Sequence, residues 1–137
     1  IFNGIGRPIF GYLHDQLGFK RSATISFVTL IIATLLHYFF SDNYYIYIFS
    51  FVIFYLNFGG WLSLTPATTI ELFGKKDYSK NFGLMYTGYG FGALFGNLIS
   101  GVLVESVGLK SVFLLMSFIA IIGLVFLQLR FKNYKKE

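Results

Sequence analysis

Four stretches of the chain carry no Asp, Glu, Lys or Arg: residues 22–41, 43–70, 81–104 and 111–129, which are 20, 28, 24 and 19 residues long. A helix rises about 1.5 Å per residue, so roughly 20 residues cross a hydrocarbon core of about 30 Å. Each run is long enough to span. Strands are excluded, because lipid offers no partner to an open sheet edge and the runs lack the two-residue alternation of barrel strands. The charged fraction is only 12%, against about 25% in ordinary soluble domains. A chain that is 55% hydrophobic and holds no Cys is not a disordered segment, a disulfide scaffold or a zinc ribbon. We expect an all-α, multi-pass membrane protein, with spans at about 22–41, 44–71, 81–104 and 111–130. Residues 1–14 read as the last part of a fifth helix, too short to cross. The chain therefore reads as a fragment, without the basic start and small-residue cleavage site of a signal peptide.

The segments between the runs give an orientation. Lys20, Arg21, Lys75, Lys76, Lys80, Arg130, Lys132, Lys135 and Lys136 fall in alternate segments, and the other side holds Lys110 alone. The positive-inside rule puts the nine-residue side in the cytoplasm. The net charge of +5 thus reflects membrane orientation, and no nucleic-acid partner is expected.

The chain also repeats itself. Gly11, Leu13, Asp15, Gly18 and Lys20 match Gly101, Leu103, Glu105, Gly108 and Lys110 in a G-x-L-x-acid-x-x-G-x-K pattern offset by 90 residues, and upstream Gly6 matches Gly96. Ninety residues hold about three spans. An odd number puts the two copies in opposite orientations, as in the inverted repeats of secondary transporters.

Gly6-Arg7, Gly11, Asp15, Gly18, Lys20 and Arg21 resemble the signature loop of the major facilitator superfamily, in the copy between helices 8 and 9. Glu71-Leu72-Phe73-Gly74, then Asn81-Phe82-Gly83-Leu84, Thr87, Gly88, Gly90, Gly92 and Gly96, are similar to the oxalate/formate antiporter group and its monocarboxylate-transporter relatives. The resemblance implies a fragment of a 12-helix fold, from part of helix 8 to helix 12, in the cell membrane, working with missing N-terminal helices. It also implies that Gly11, Asp15, Gly18, Lys20 and Arg21 form a gating latch. Physically, Gly11 and Gly18 allow close approach and a tight turn, while Lys20 and Arg21 suit lipid phosphate or a carboxylate.

Arg7 is the principal candidate for substrate binding. It precedes Asp15 by eight residues, about 12 Å along a helix, which places it near the bilayer midplane. A cation there is costly unless it faces a polar cavity or a partner, and no acidic residue lies within a turn. A guanidinium fork matches a carboxylate bidentately. Arg7-Pro8 is similar to the arginine–proline of monocarboxylate transporters, where that arginine contacts the carboxylate. Asn97 matches Arg7 in the repeat and is expected at similar depth. Tyr86, Tyr89 and Asn97 share one helix face, and Asn57, Trp61, Thr65 and Thr68 share another; both are expected to line a cavity. Gly88, Gly92 and Gly96 are expected to pack closely against a neighbouring helix. Pro66 and Gly59-Gly60 mark possible bends. The 22–40 and 111–129 helices read as outer, lipid-facing supports.

Other motifs carry nothing. The Gly88-Tyr89-Gly90-Phe91-Gly92-Ala93 string follows no strand, so it is not a dinucleotide site. His14 and His37 lie on different spans without nearby ligands, so no metal is expected, and no cofactor or enzymatic activity either. His37 is placed near the outer interface. The expected function is secondary transport of a small carboxylate such as formate, oxalate, lactate or pyruvate, by antiport or a related exchange. Oxalate exchangers add a second basic residue in the helix corresponding to 81–104. None occurs here, which favours a monoanion. The alternatives are another cargo, such as a sugar or drug, or a non-transporting truncated product.

Overall fold

The computed structural model describes residues 1–132; Lys135 and Lys136 of the basic tail lie outside them. Four helices follow in order: α1 (Phe2–Phe40), α2 (Tyr44–Phe73), α3 (Tyr78–Val107) and α4 (Leu109–Arg130). All four are long and apolar enough to cross a membrane. No strand occurs among the described residues.

The expected loop across His14–Arg21 is corrected. Only Gly18 leaves the helical conformation, at φ 77°, ψ 171°. That region is open essentially to glycine alone. Contacts with α2 show that this single residue reverses the chain. In the arm before Gly18, the Arg7 carbonyl accepts from Ser63 Oγ (3.1 Å) and His14 meets Glu71, so position in α1 rises with position in α2. In the arm after it, Ser26 meets Asn57 and Trp61, and His37 meets Tyr47, so the order falls. The two arms of α1 are antiparallel helices joined at one glycine.

Gly74 and Gly108 end α2 and α3 in the same backbone region, at φ 72°, ψ −177° and φ 91°, ψ 163°. The repeat-matched glycines Gly18 and Gly108 thus share a conformation. Gly74, outside the repeat, shares it too, so it marks helix breaks in general. A polar cap starts α2: the Asn43 side chain accepts from the Tyr45 and Ile46 amides (3.0 and 3.3 Å).

α2 is the central post. Its Leu56, Gly59, Gly60 and Ser63 face the first arm of α1. Its Asn57 and Trp61 face the second arm, and Phe58, Thr65 and Thr69 meet α3. α4 lies antiparallel to the second arm of α1, through Phe113 with His37, Phe27 with Gly123, and Gln128 with Thr24.

Close packing comes from glycines other than those expected. A Cβ on Gly6 would collide with the Leu56 carbonyl oxygen, and one on Gly59 with the Asn3 carbonyl oxygen. One on Gly60 would strike the Phe10 ring. The first arm and α2 therefore touch backbone to backbone, as small residues permit in membranes. By contrast, a Cβ on Gly88, Gly92 or Gly96 would meet no atom within 4 Å, and α3 buries none of its residues. The expected tight packing of that face is not made among the described residues. Gly59-Gly60 and Pro66 sit inside an unbroken helix, and the glycine pair makes close contact with the first arm of α1.

The 22–40 segment is likewise not an outer support within this chain. Ser22, Ala23, Ser26, Ala33, Thr34 and His37 are buried between α2 and α4. Ser22, Thr24, Thr29 and Thr34 return hydrogen bonds to carbonyls four residues back, so most polar groups of this arm are satisfied within the helix.

These contrasts predict opposite outcomes for two neighbouring glycines. Gly18→Ala forces a side chain into a glycine-only region at a cost of about 1–3 kcal/mol and lowers the thermal midpoint in detergent. Gly11→Ala, helical and with nothing within 4 Å of the added carbon, raises the midpoint slightly, since glycine costs about 0.5–1 kcal/mol relative to alanine inside a helix.

Candidate functional site

α2 and α3 meet along a groove of about 210 Å³ lined by Phe58, Trp61, Leu62, Thr65, Tyr86 and Tyr89. Tyr86 and Tyr89 are one helical turn apart on α3 and touch, with ring centroids 5.3 Å apart; Phe58 faces Tyr89 at 6.4 Å. The Thr65 hydroxyl is turned away from ligand chemistry, since it donates to the Trp61 carbonyl at 2.8 Å. Three residues singled out in the sequence, Trp61, Tyr86 and Tyr89, thus come together. They make an aromatic wall without a charged group.

Arg7 lies on the opposite flank of α2. Its carbonyl is held by Ser63, within the Phe58–Thr65 stretch that lines the groove, so arginine and groove share one depth. That depth is near the middle of α2, since Ser63 is fewer than five residues, or about 7 Å, from the midpoint of Tyr44–Phe73. Arg7 is exposed, and no ion pair to it forms among the described residues. Its backbone is fixed on either side: Gly6 abuts Leu56, and Pro8 lies within an unbroken part of α1. The face of α2 between the two flanks carries Tyr55, Leu62 and Pro66, spaced two turns and then one turn apart.

Two expected members stand elsewhere. Asn57 is 3% exposed, and its amide is committed. Oδ1 accepts from Ser26 Oγ at 2.6 Å, and Nδ2 donates to Thr29 Oγ1 (3.2 Å) and the Ile53 carbonyl (3.0 Å). It ties α1 to α2 instead of presenting an amide to a cavity. Trp61 joins the same cluster by donating from Nε1 to Ser26 Oγ at 2.8 Å, while its ring reaches the groove. Asn97 is exposed on α3, eight residues beyond Tyr89 and so about 12 Å further along the helix. It does not share the depth of Arg7. Asn97 is fewer than five residues from the middle of Tyr78–Val107 and so is also near mid-span, but α3 runs antiparallel to α2 and puts it on the other side of the middle from Arg7.

The signature residues cluster at one end. Lys20 and Arg21 line a cavity of about 500 Å³ with Leu17, Thr24, Ile25 and Gln128. Gln128 Nε2 donates to Thr24 Oγ1 at 2.8 Å, closing that cavity's α4 side. Asp15 is exposed one turn before the Gly18 break, and Gly11 meets no neighbour. The sequence reading missed a pair beside these residues: His14 Nε2 lies 2.7 Å from Glu71 Oε2, both largely buried. It joins the ends of the first arm and α2. Ser26, the hub for Asn57 and Trp61, was also missed, because only the helix–helix register reveals it. His37 is 2% exposed and boxed by the rings of Tyr47, Phe51, Phe54 and Phe113. No group of three or more His, Cys, Asp or Glu that could hold a metal exists among the described residues.

Ser26→Ala should destabilise the protein by about 1–3 kcal/mol, since it leaves the Trp61 N–H and an Asn57 lone pair unmet in a buried place. A double-mutant cycle with Trp61→Phe, read by thermal unfolding, should show a coupling of about 1 kcal/mol. Additive losses would place no hydrogen bond there.

Comparison with known proteins agrees with this architecture. The family model described as Major Facilitator Superfamily matches residues 1–137. The chain is 30% identical over 94 residues to the "Uncharacterized MFS-type transporter YhjX" of Escherichia coli (strain K12), covering 69% of this chain and 23% of that protein. It is 22% identical over 116 residues to the "Oxalate:formate antiporter" of Oxalobacter formigenes, covering 84% of this chain and 28% of that protein. The chain thus spans about a quarter of the length of these relatives. No solved structure matches. Four membrane-length helices, a helix break at Gly18 of the signature stretch and a match over its whole length lead to one conclusion: this chain belongs to the major facilitator superfamily.

Proposed function

We propose that the chain is the C-terminal part of a 12-helix secondary transporter, from part of helix 8 to helix 12, that carries a small organic anion by alternating access. The observation that carries this reading is Arg7: an arginine at mid-span depth, on a backbone held against α2, exposed, and without an acidic partner among the described residues. A cation in that position is stable only where it meets water or an anion. Its fork suits a carboxylate, and the aromatic groove lies at the same depth on the other flank of α2.

The charge balance favours a monocarboxylate. The groove holds no cation, and α3 has no Lys or Arg between Asn81 and Val104, so a second carboxylate would lie unpaired. Formate, lactate and pyruvate fit this balance better than oxalate. The resemblance to an oxalate:formate antiporter, at 22% identity, keeps oxalate within the tested set. In this scheme Lys20, Arg21, Asp15 and the Gly18 turn act as the latch. The missing N-terminal helices complete the pathway, and the cell membrane is the expected location.

The test is uptake of labelled formate, lactate and oxalate into proteoliposomes carrying the full-length transporter. Arg7→Lys keeps the charge but removes the fork, and should cut carboxylate uptake at least tenfold while expression and thermal midpoint hold. Unchanged uptake, or transport of a neutral sugar that survives Arg7→Ala, would overturn the anion reading.

A further inference from the structure

His14 and Glu71 are a titratable pair that the function proposed above does not use. His14 Nε2 lies 2.7 Å from Glu71 Oε2, with the two side chains 7% and 15% exposed. Two heteroatoms that close need a proton between them. His14 falls in the last turn of the first arm before the break at Gly18, and Glu71 in the last turn of α2 before the break at Gly74. The pair therefore fastens two helices at the ends where both stop. Glu71 is some twelve residues, or about 19 Å, from the midpoint of α2, which puts the pair at the membrane–water boundary, within reach of aqueous protons. The negative ends of two helix dipoles converge there, a setting that suits a cation and disfavours a lone carboxylate. With His14 protonated, the site is an ion pair without net charge. With His14 neutral, the imidazole can still donate one hydrogen bond, but the site keeps one net negative charge in a largely enclosed place.

We propose that His14 and Glu71 form a proton-operated clasp: a proton taken up from water by the His14 ring draws the ends of the first arm and α2 together, and its loss lets them part. By the charge asymmetry of the connections this is the cytoplasmic side, so the clasp responds to cytoplasmic pH. The other charged groups at this end form a constant background. α1 carries Asp15, Lys20 and Arg21, Lys75 and Lys76 follow α2, Asp77 and Lys80 stand at the start of α3, and α4 ends at Arg130 with Lys132 beyond it. All are exposed except the half-buried Lys20, so water and salt screen them. Lys135, Lys136 and Glu137 lie outside the described residues. None of these is a histidine, the side chain type that ordinarily changes charge near neutral pH, and the other histidine, His37, stands at the far end of α1. The arm fastened by the clasp bears Arg7 and leads into the Gly18 turn before Lys20 and Arg21, so the clasp governs how firmly these groups are held. It does not rest on the identity of the cargo.

The test places spin labels on Gln16→Cys and Phe73→Cys, two exposed positions each two residues beyond the pair, in a cysteine-cleared full-length transporter held in nanodiscs. The width of the label–label distance distribution is compared at about pH 5.5 and about pH 8.5, on either side of the ordinary histidine range. The distribution should be at least twofold narrower at the acid end. His14→Lys, a permanent cation, should keep it narrow at both values. His14→Gln, permanently neutral, should keep it broad at both, and Glu71→Gln should abolish the acid narrowing. His37→Asn should leave the wild-type response intact. Equal widths at the two pH values in the wild-type pair would overturn the proposal. So would a wild-type response that persists in His14→Gln, or identical behaviour of the lysine and glutamine variants, which a merely structural contact predicts. The wild-type comparison needs no change at the pair, so the proposal is decided even where a variant fails to fold. No uptake is measured, so Arg7→Lys should leave the response unchanged, and failure here is separable from failure of the transport reading.

Discussion

Backbone contact between the first arm of α1 and α2 governs the arrangement of everything else. Gly6 lies against the Leu56 carbonyl and Gly59 against the Asn3 carbonyl, leaving no room for a side chain between the two helices. In lipid there is little hydrophobic gain from bringing helices together, so close packing and shared polar contacts must hold them. The glycines supply the first, and they bring the Arg7 carbonyl within reach of Ser63. The guanidinium is therefore borne on a backbone whose depth and rotation are set by contact, not by the arginine's own interactions.

The second arm of α1 is held to the same post by different means. Ser26, Asn57, Thr29 and Trp61 form a small hydrogen-bonded cluster in which the Asn57 side chain and the Trp61 N–H are satisfied. Membrane helices keep such groups because each would be costly alone in hydrocarbon. Trp61 has two roles as a result. Its N–H braces the helix pair, and its ring forms one wall of the groove toward Tyr86 and Tyr89. The site thus borrows rigidity from the fold on both flanks of α2, through glycine contact on one and a polar cluster on the other.

Much of this was legible in the sequence, and the gaps have physical causes. Charge-free runs located the membrane-length helices, because lipid excludes charge over a length that helix rise converts directly to residues. The grouping of Trp61, Tyr86 and Tyr89 was accessible through helical phase. Three things were not. Phase names a face but not its neighbour, so the Asn57 face proved to look at α1 and the Gly88–Gly96 face at no described residue. A connection of one residue leaves no compositional trace, so the turn at Gly18 looked like a loop spread over its charged neighbours. Pairs such as His14 with Glu71 are 57 positions apart in the chain and depend on register between two helices, which no local pattern encodes.

The central claim is that Arg7 and the aromatic groove, at one depth on two flanks of one helix, serve the same transport pathway. The most direct measurement is protection of an engineered thiol, aided by the absence of native Cys in this chain. Tyr89→Cys would be placed in a full-length transporter cleared of other cysteines, and its rate of modification by a small thiosulfonate followed with and without lactate. The account predicts that lactate slows the reaction severalfold when Arg7 is present, and that this protection disappears when Arg7→Gln is added. Equal protection in both backgrounds, or none in either while lactate is still transported, would contradict it.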